Sequence, residues 1–526
     1  MIKIENLSVA FGSTEAVKNV SLDLIDGEIL GVVGESGSGK SVTALTLMGL
    51  AADTARLTSG RIVFDDVVLQ EAGKPKDKAL YREYQGARMS MVFQEPMTSL
   101  NPTQKVGRQV EEMCRLHTEL SREEITKKVL ETFRAVGLRN VEKVYASYPH
   151  QLSGGMRQRV MIAMAVILHP RLIVADEPTT ALDVTIQNQI IGLLRDINQK
   201  QKNAMLFITH DLNLARRLCH RIAVMKDGEV VETGSTEEIF EHPEKEYTRR
   251  LIEAVPSRMK RRTAAVARGL AEGRLKLDAE PVVQVRNLDV FYQEGGNSLF
   301  SPGKKHCVVS GADFDIYPGE SLGLVGESGC GKTSLSKAIL GMNHNIRGQV
   351  VQKTLRPQMI FQDPYSSLNP AKTIGWLLQE PLRAAAALDK SCRMSPGDME
   401  AAAYDMLHRV GMSEKYFHRK PSQLSGGQRQ RISIAQALIT HPGFIVADEP
   451  VSALDVTIQA QIMELMQKLQ QEMNLSYLFI SHDINVVYHM CDRIMVMKEG
   501  RIVEIGETEE LFRHPREEYT RQLLGS

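Results

Sequence analysis

Long apolar runs are missing from this chain. No stretch reaches the roughly 18 apolar residues that a membrane-crossing helix needs, so any work at a membrane must go through a partner that supplies the span. Cysteine is scarce: six residues, at 114, 219, 307, 330, 392 and 491, without one CxxC pair. That spacing argues against a zinc site or a disulfide framework and suits a reducing cytosol. Net charge is absent too, with 64 Lys and Arg against 64 Asp and Glu. A balanced chain has no global attraction for nucleic acid or anionic lipid, and only local patches remain. The start, MIKIENLSVAF, alternates apolar and polar residues like a strand and lacks a signal-peptide core, so the chain is expected in the cytoplasm.

What the chain does have is a repeat. At 526 residues it is too long for one ordinary core, and about two to four domains are expected. LSGGMRQR at 152–159 returns as LSGGQRQR at 424–431, so Ser153 and Ser425 are offset by 272 positions (425 − 153). VADEP at 174–178, ITHD at 208–211 and EHPEKEYTRRL from 241 recur at the same offset as VADEP, ISHD and RHPREEYTRQL. Two homologous halves follow, 1–255 and 282–526, with a basic linker over 256–281 that reads as a solvated connection.

The halves differ early on. Lys40 to Gln94 spans 54 positions (94 − 40), whereas Lys332 to Gln362 spans 30 (362 − 332). The second half is therefore expected to lack most of a strand-and-helix segment matching about 61–85, and to carry a longer hairpin loop around 293–306. Within each half, short apolar runs such as EILGVVG, RLIVADEP and NAMLFITH alternate with helical patterns such as VTIQNQIIGLLRDI. That alternation predicts an α/β fold with a mainly parallel sheet.

GESGSGKS at 34–41 and GESGCGKT at 326–333 each follow a strand and open a helix, the context in which GxxxxGK[ST] is a phosphate-binding loop. Gly34, Glu35, Ser36, Gly37, Ser38 and Gly39 in the first half, and Gly326, Glu327, Ser328, Gly329, Cys330 and Gly331 in the second, bring backbone N–H groups toward phosphate oxygens. Lys40 and Lys332 add a full positive charge, and the Ser41 and Thr333 hydroxyls are candidate Mg²⁺ ligands. Asp176 and Asp448 end apolar strands and are placed to hold Mg²⁺, and the next residues, Glu177 and Glu449, can polarise an attacking water. His210 and His482 end later strands and are candidate γ-phosphate contacts, while Gln94 and Gln362 can reach metal or water. Cys330 stands where the first half has Ser38; it is either a small tolerated residue or a thiol activated by the loop's N–H groups.

Together these motifs resemble two ATP-binding-cassette (ABC) ATPases fused in one chain. The resemblance covers nearly all of both halves and implies two tandem P-loop NTPase domains, each with a parallel-sheet core, an antiparallel β subdomain and a helical subdomain. Ser153, Gly154, Gly155 and Ser425, Gly426, Gly427 resemble the family signature, Asp183 and Asp455 the D-loops, Gln94 and Gln362 the Q-loops, and His210 and His482 the switch histidines. Phe11 and Tyr292 look like the aromatics that stack on adenine, for which any flat π face serves. The resemblance implies crosswise sites: Ser425, Gly426 and Gly427 cap the ATP on Lys40, and Ser153, Gly154 and Gly155 cap the ATP on Lys332.

FQEPMTSLNP, FQDPYSSLNP and the HPxxxYTRxL tails resemble the ATPases of bacterial peptide, opine and nickel importers, with fused pairs in the dipeptide, glutathione and microcin branches. That implies two membrane permeases and a solute-binding protein as partners, no nucleic acid, ATP and Mg²⁺ as cofactors, and a peripheral position on the cytoplasmic face of the inner membrane. Permease contacts are expected near 97–120 and 365–385. A nickel-chelate or opine importer is the alternative within the family. A tandem-cassette translation factor fits less well, because the linker is short and the net charge is zero.

Overall fold

The computed structural model describes residues 2–179, 182, 184–255, 279–294, 304–354, 357–363, 367–452 and 454–525. The linker over 256–281, apart from its last three residues, lies outside them, as does Asp183. The contacts divide the chain into two compact units, Met1–Leu182 with Ile186–Val255 and a second that holds Pro256–Ser526.

The first unit is built on a six-stranded sheet. Its parallel strands run in the order Arg221–Lys226, Ile29–Val33, Ala204–Ile208, Leu172–Asp176 and Met89–Val92, and Glu229–Ser235 pairs antiparallel at the outer edge. Strands such as ILGVV, LIVAD and AMLFI are buried at every position because both faces of a parallel sheet are covered. Alternation inside each run sorts its side chains. Leu172 and Val174 pack with the antiparallel sheet formed by Thr14–Leu24, Ile2–Phe11, Ala55–Phe64 and Val67–Glu71. Ile173 and Ala175 pack instead with the helices Val106–His117, Arg122–Ala135 and Gly154–Val166.

The second unit repeats the plan, with parallel strands Gln358–Ile360, Phe444–Asp448, Ser476–Ile480, Ser321–Val325 and Arg493–Lys498 and the antiparallel edge Arg501–Glu507. Phe444 and Val446 again face one core, and Ile445 and Ala447 the other. Its antiparallel sheet has three strands, Lys304–Ile316, Val283–Glu294 and Ile346–Gln352. Among the described residues, the strand Val67–Glu71 and the helix Lys78–Tyr84 have no counterpart there, so these are the elements behind the shorter loop-to-glutamine spacing. The loss uncovers a surface. In the first unit Tyr81 sits over Gly49, where an added Cβ would stand 2.4 Å from the ring; at the matching Gly341 an added Cβ meets nothing within 4 Å. Val283–Glu294 and Lys304–Ile316 pair as a hairpin down to Glu294 and Lys304, and the loop expected between them falls largely outside the described residues. Among the described residues no helix is long and apolar enough to cross a membrane.

Candidate active sites

Each phosphate-binding loop joins the central strand of its sheet to a helix that starts at Lys40 or Lys332. The loop needs its glycines. Gly34 takes φ +152° with the Met225 carbonyl so near that a Cβ would stand 2.1 Å from its oxygen, and Gly326 repeats this against Met497 at 2.2 Å. Gly39 and Gly331 cap the helices in the left-handed region. A Cβ at Gly37 or Gly329 would meet nothing within 4 Å, so the loop is open on that side. Lys40 is buried, and its Nζ donates to the Gly34 carbonyl at 2.8 Å, the Glu35 carbonyl at 2.7 Å and Ser38 Oγ at 3.4 Å. Lys332 does the same with Gly326 at 2.7 Å and Glu327 at 2.8 Å, but its third neighbour is Cys330 Sγ at 3.9 Å.

Cys330 is buried, and burial pushes its thiol up against the opposing pull of Lys332.

Beside each loop the strand-end carboxylates divide their partners. Ser41 Oγ donates to Asp176 Oδ1 at 3.0 Å, and Thr333 Oγ1 to Asp448 Oδ2 at 3.2 Å. Burial pushes Asp176 up to about 6, with the Glu177 charge adding to it and the Ser41 bond opposing it, and Asp448 is raised for the same leading reason. Among the described residues no cluster of three His, Cys, Asp or Glu side chains is placed to hold a metal. The hydroxyl–carboxylate pair nevertheless fits Mg²⁺, which takes hard oxygen ligands, keeps its waters and shares its shell with phosphates. A cation there would also compensate a carboxylate that burial disfavours.

Glu177 and Glu449 have different partners. Both take left-handed backbone, φ +45° and +48°, held by amide bonds to the Ile208 and Ile480 carbonyls at 3.0 and 2.9 Å. Residues held in such sparsely populated backbone conformations cluster at functional sites. Gln94 Nε2 donates to Glu177 Oε2 at 2.9 Å while His210 Nδ1 sits 3.1 Å from Oε1. In the second unit Gln362 Nε2 at 2.8 Å and His482 Nδ1 at 3.1 Å share Glu449 Oε2. Burial would lower both histidines, yet the facing carboxylates outweigh it and leave each above its ordinary value. Burial would likewise raise Glu449, and His482 holds it below the usual range.

The signature serines begin helices. Ser153 Oγ accepts the Met156 N–H at 3.3 Å, and Ser425 Oγ accepts that of Gln428 at 3.4 Å. Gln428 also accepts the Ser425 N–H at 3.0 Å, a reciprocal cap that Met156 cannot form. Gly154 and Gly426 have room: a Cβ would stand 3.7 and 3.8 Å from Leu182 and Leu454. Gly155 and Gly427 do not, with Ile186 at 2.8 Å and Ile458 at 2.5 Å. The second arginine of each signature is tied to the helical layer. Arg159 donates to the Val136 carbonyl at 2.5 Å and to Gln189 at 2.8 Å, and Arg431 to the Val410 carbonyl at 2.7 Å.

Phe11 ends its strand half-buried, and Tyr292 is 41% exposed near the end of Val283–Glu294. Asp455 caps the helix Val456–Met473 through the Ile458 N–H at 3.1 Å. Two further residues touch the loops: the Tyr247 hydroxyl accepts the Glu35 N–H at 3.4 Å, and Tyr519 accepts that of Glu327 at 3.2 Å. Their signal is the tyrosine common to both HPxxxYTRxL tails.

The chain is similar to known proteins over its whole length. The ABC transporter family matches residues 17–180 and 309–452. The C-terminal region of oligopeptide/dipeptide transporters matches 231–278 and 503–526. The glutathione import ATP-binding protein GsiA of Escherichia coli O6:H1 is 42% identical over 566 aligned positions, which cover 100% of this chain and 89% of that one. Its namesake from Pectobacterium atrosepticum is 40% identical over 563 positions, with the same coverage. Among solved structures, the dimeric bacterial ABC transporter cassette MJ0796 aligns over 45% of this chain and 99% of its own, at 31% identity and a TM-score of 0.40.

Proposed function

The chain belongs to the ABC transporter family, and we propose that it is the ATP-hydrolysing subunit of an importer for glutathione-like or other short peptides. The carrying observation is that both units hold the same complete set: lysine in the loop, hydroxyl on aspartate, and glutamine and histidine on the next glutamate. The peptide assignment is supported by the full-length relatives, named glutathione import proteins, and by the matched tails.

In this reading each ATP is shared between halves. Lys40 and its loop bind one triphosphate, which Ser425, Gly426 and Gly427 cap, and Lys332 binds the other beneath Ser153, Gly154 and Gly155. Each serine and its helix N-terminus then meet a γ-phosphate, where exposed N–H groups favour negative charge. Phe11 and Tyr292 stack on the adenines, and Asp183 and Asp455 face the partner half. Ser41, Asp176 and Gln94, with Thr333, Asp448 and Gln362 opposite, would hold Mg²⁺, which supplies charge neutralisation on the phosphates. Glu177 and Glu449 orient and deprotonate the attacking water, while His210 and His482 anchor those carboxylates and contact the γ-phosphate.

Closure on ATP shifts two membrane permeases between inward- and outward-facing states, with a solute-binding protein delivering cargo. The segments 97–120 and 365–385 meet the permeases, which hold the chain at the cytoplasmic face of the inner membrane. ATP turnover of Glu177→Gln and Glu449→Gln, made singly, tests the two-site reading. Each change is expected to cut turnover sharply; a variant with wild-type ATPase removes its half from the catalytic account.

A further inference from the structure

The tails that close each unit carry a motif the hydrolytic account leaves unused. In both, a glutamate on the last strand fixes the start of the final helix. Glu232 accepts the N–H groups of Glu244 at 2.7 Å and Lys245 at 3.2 Å, ahead of the helix Glu246–Ala254. Glu504 does the same for Arg516 at 2.9 Å and Glu517 at 3.2 Å, ahead of Glu518–Gly525. That clamp lies two residues before a tyrosine in each tail. Tyr247 and Tyr519 then reach back 212 and 192 positions to the amides of Glu35 and Glu327. Lys226 and Lys498 lie over the two rings at 5.0 and 4.8 Å from the centroids.

The amide that each tyrosine meets has a particular place. The Gly34–Glu35 peptide offers its N–H to Tyr247 and its carbonyl, on Gly34, to Lys40 at 2.8 Å. The Gly326–Glu327 peptide lies likewise between Tyr519 and Lys332, whose bond to the Gly326 carbonyl is 2.7 Å. One peptide plane thus links a tail hydroxyl to the loop lysine, and it does so independently in both halves. Rotation of that plane would move the lysine's anchor and the first N–H of the cradle together.

We infer that Tyr247 and Tyr519 are positioning residues for ATP, the hydroxyls of the transporter-type tail holding the entrance of each phosphate loop in register. The inference rests on the reading that these loops bind ATP. Phenylalanine keeps the ring and removes the hydroxyl, so the loop amide loses its partner. Loss of one neutral hydrogen bond corresponds to about a fivefold change in affinity.

The test is equilibrium binding of a nonhydrolysable ATP analogue with Mg²⁺ to the full chain and to its Tyr247→Phe/Tyr519→Phe variant, alongside ATPase kinetics and thermal melting. The variant is expected to bind about fivefold more weakly, to raise KM for ATP by more than it lowers kcat, and to melt within about 3 °C of the parent. Unchanged affinity overturns the inference. So does weaker binding with an equal fall in Tm-matched activity and a larger drop in melting temperature, which marks general destabilisation. Failure of the parent chain to bind the analogue would instead overturn the ATP reading beneath it.

Discussion

Alanine at the first signature glycine separates the fold from the chemistry. A Cβ on Gly154 would lie 3.7 Å from Leu182 Cδ2, and one on Gly426 would lie 3.8 Å from Leu454 Cδ2, ordinary contacts in both cases. Each glycine is the first residue of its helix, where alanine is the better helix former by up to about 1 kcal/mol. Gly154→Ala and Gly426→Ala should therefore leave melting temperature unchanged or slightly raised. If the signature N–H groups meet the opposite γ-phosphate, the added methyl group obstructs that approach. Losing the contact of one such donor with a developing anion costs on the order of 10²-fold in turnover. The neighbouring glycines are the control. A Cβ at Gly155 would stand 2.8 Å from Ile186 Cγ2, and one at Gly427 would stand 2.5 Å from Ile458 Cγ2. Overpacking of that kind costs about 1–3 kcal/mol and should lower the melting temperature by several degrees. Steady-state ATPase with calorimetry on the four single variants decides the matter. Wild-type turnover in Gly154→Ala and Gly426→Ala would refute the claim that these loops cap nucleotide.

The second unit should lose stability as pH rises. Glu320 is fully buried, and burial pushes it from 4.5 up to about 7 against the opposing pulls of the Tyr317 amide and Arg493. A carboxyl raised in the folded state stabilises below its unfolded value, and that contribution, about 3 kcal/mol, is lost between about pH 4.5 and 7. Chemical denaturation across that range should show the loss, and Glu320→Gln should flatten it; an unchanged slope in the variant would assign the effect elsewhere. Ser41→Ala should raise the Mg²⁺ concentration for half-maximal ATPase by about tenfold, since it removes one oxygen next to Asp176; the same Mg²⁺ dependence in parent and variant would take Ser41 out of the cation's shell.

Much of this was readable in the sequence because its signals are local. Short apolar runs with Gly-rich turns mark the buried parallel strands, and the 272-position offset marks the duplication. The spacing difference between Lys40–Gln94 and Lys332–Gln362 locates a deletion, and the fold names the strand Val67–Glu71 and the helix Lys78–Tyr84 as what the second unit lacks. What escaped the sequence depends on packing over long separations. Gln94 and His210 converge on Glu177 from opposite directions along the chain. The burial of Cys330 is likewise set by packing. Tyr247 looked like a family badge until its hydroxyl was found on the phosphate loop.

The proposed crosswise sharing of the two ATP sites is tested most directly by trapping the chain with Mg²⁺, ATP and vanadate, irradiating it, and mapping the cut peptide bonds by mass spectrometry. Vanadate occupies the place of the γ-phosphate and light cleaves the backbone that touches it. Cuts next to Ser153 and Ser425 as well as in the loops of Lys40 and Lys332 are the expected result; cuts confined to the two loops, in a fully trapped enzyme, would contradict the shared sites.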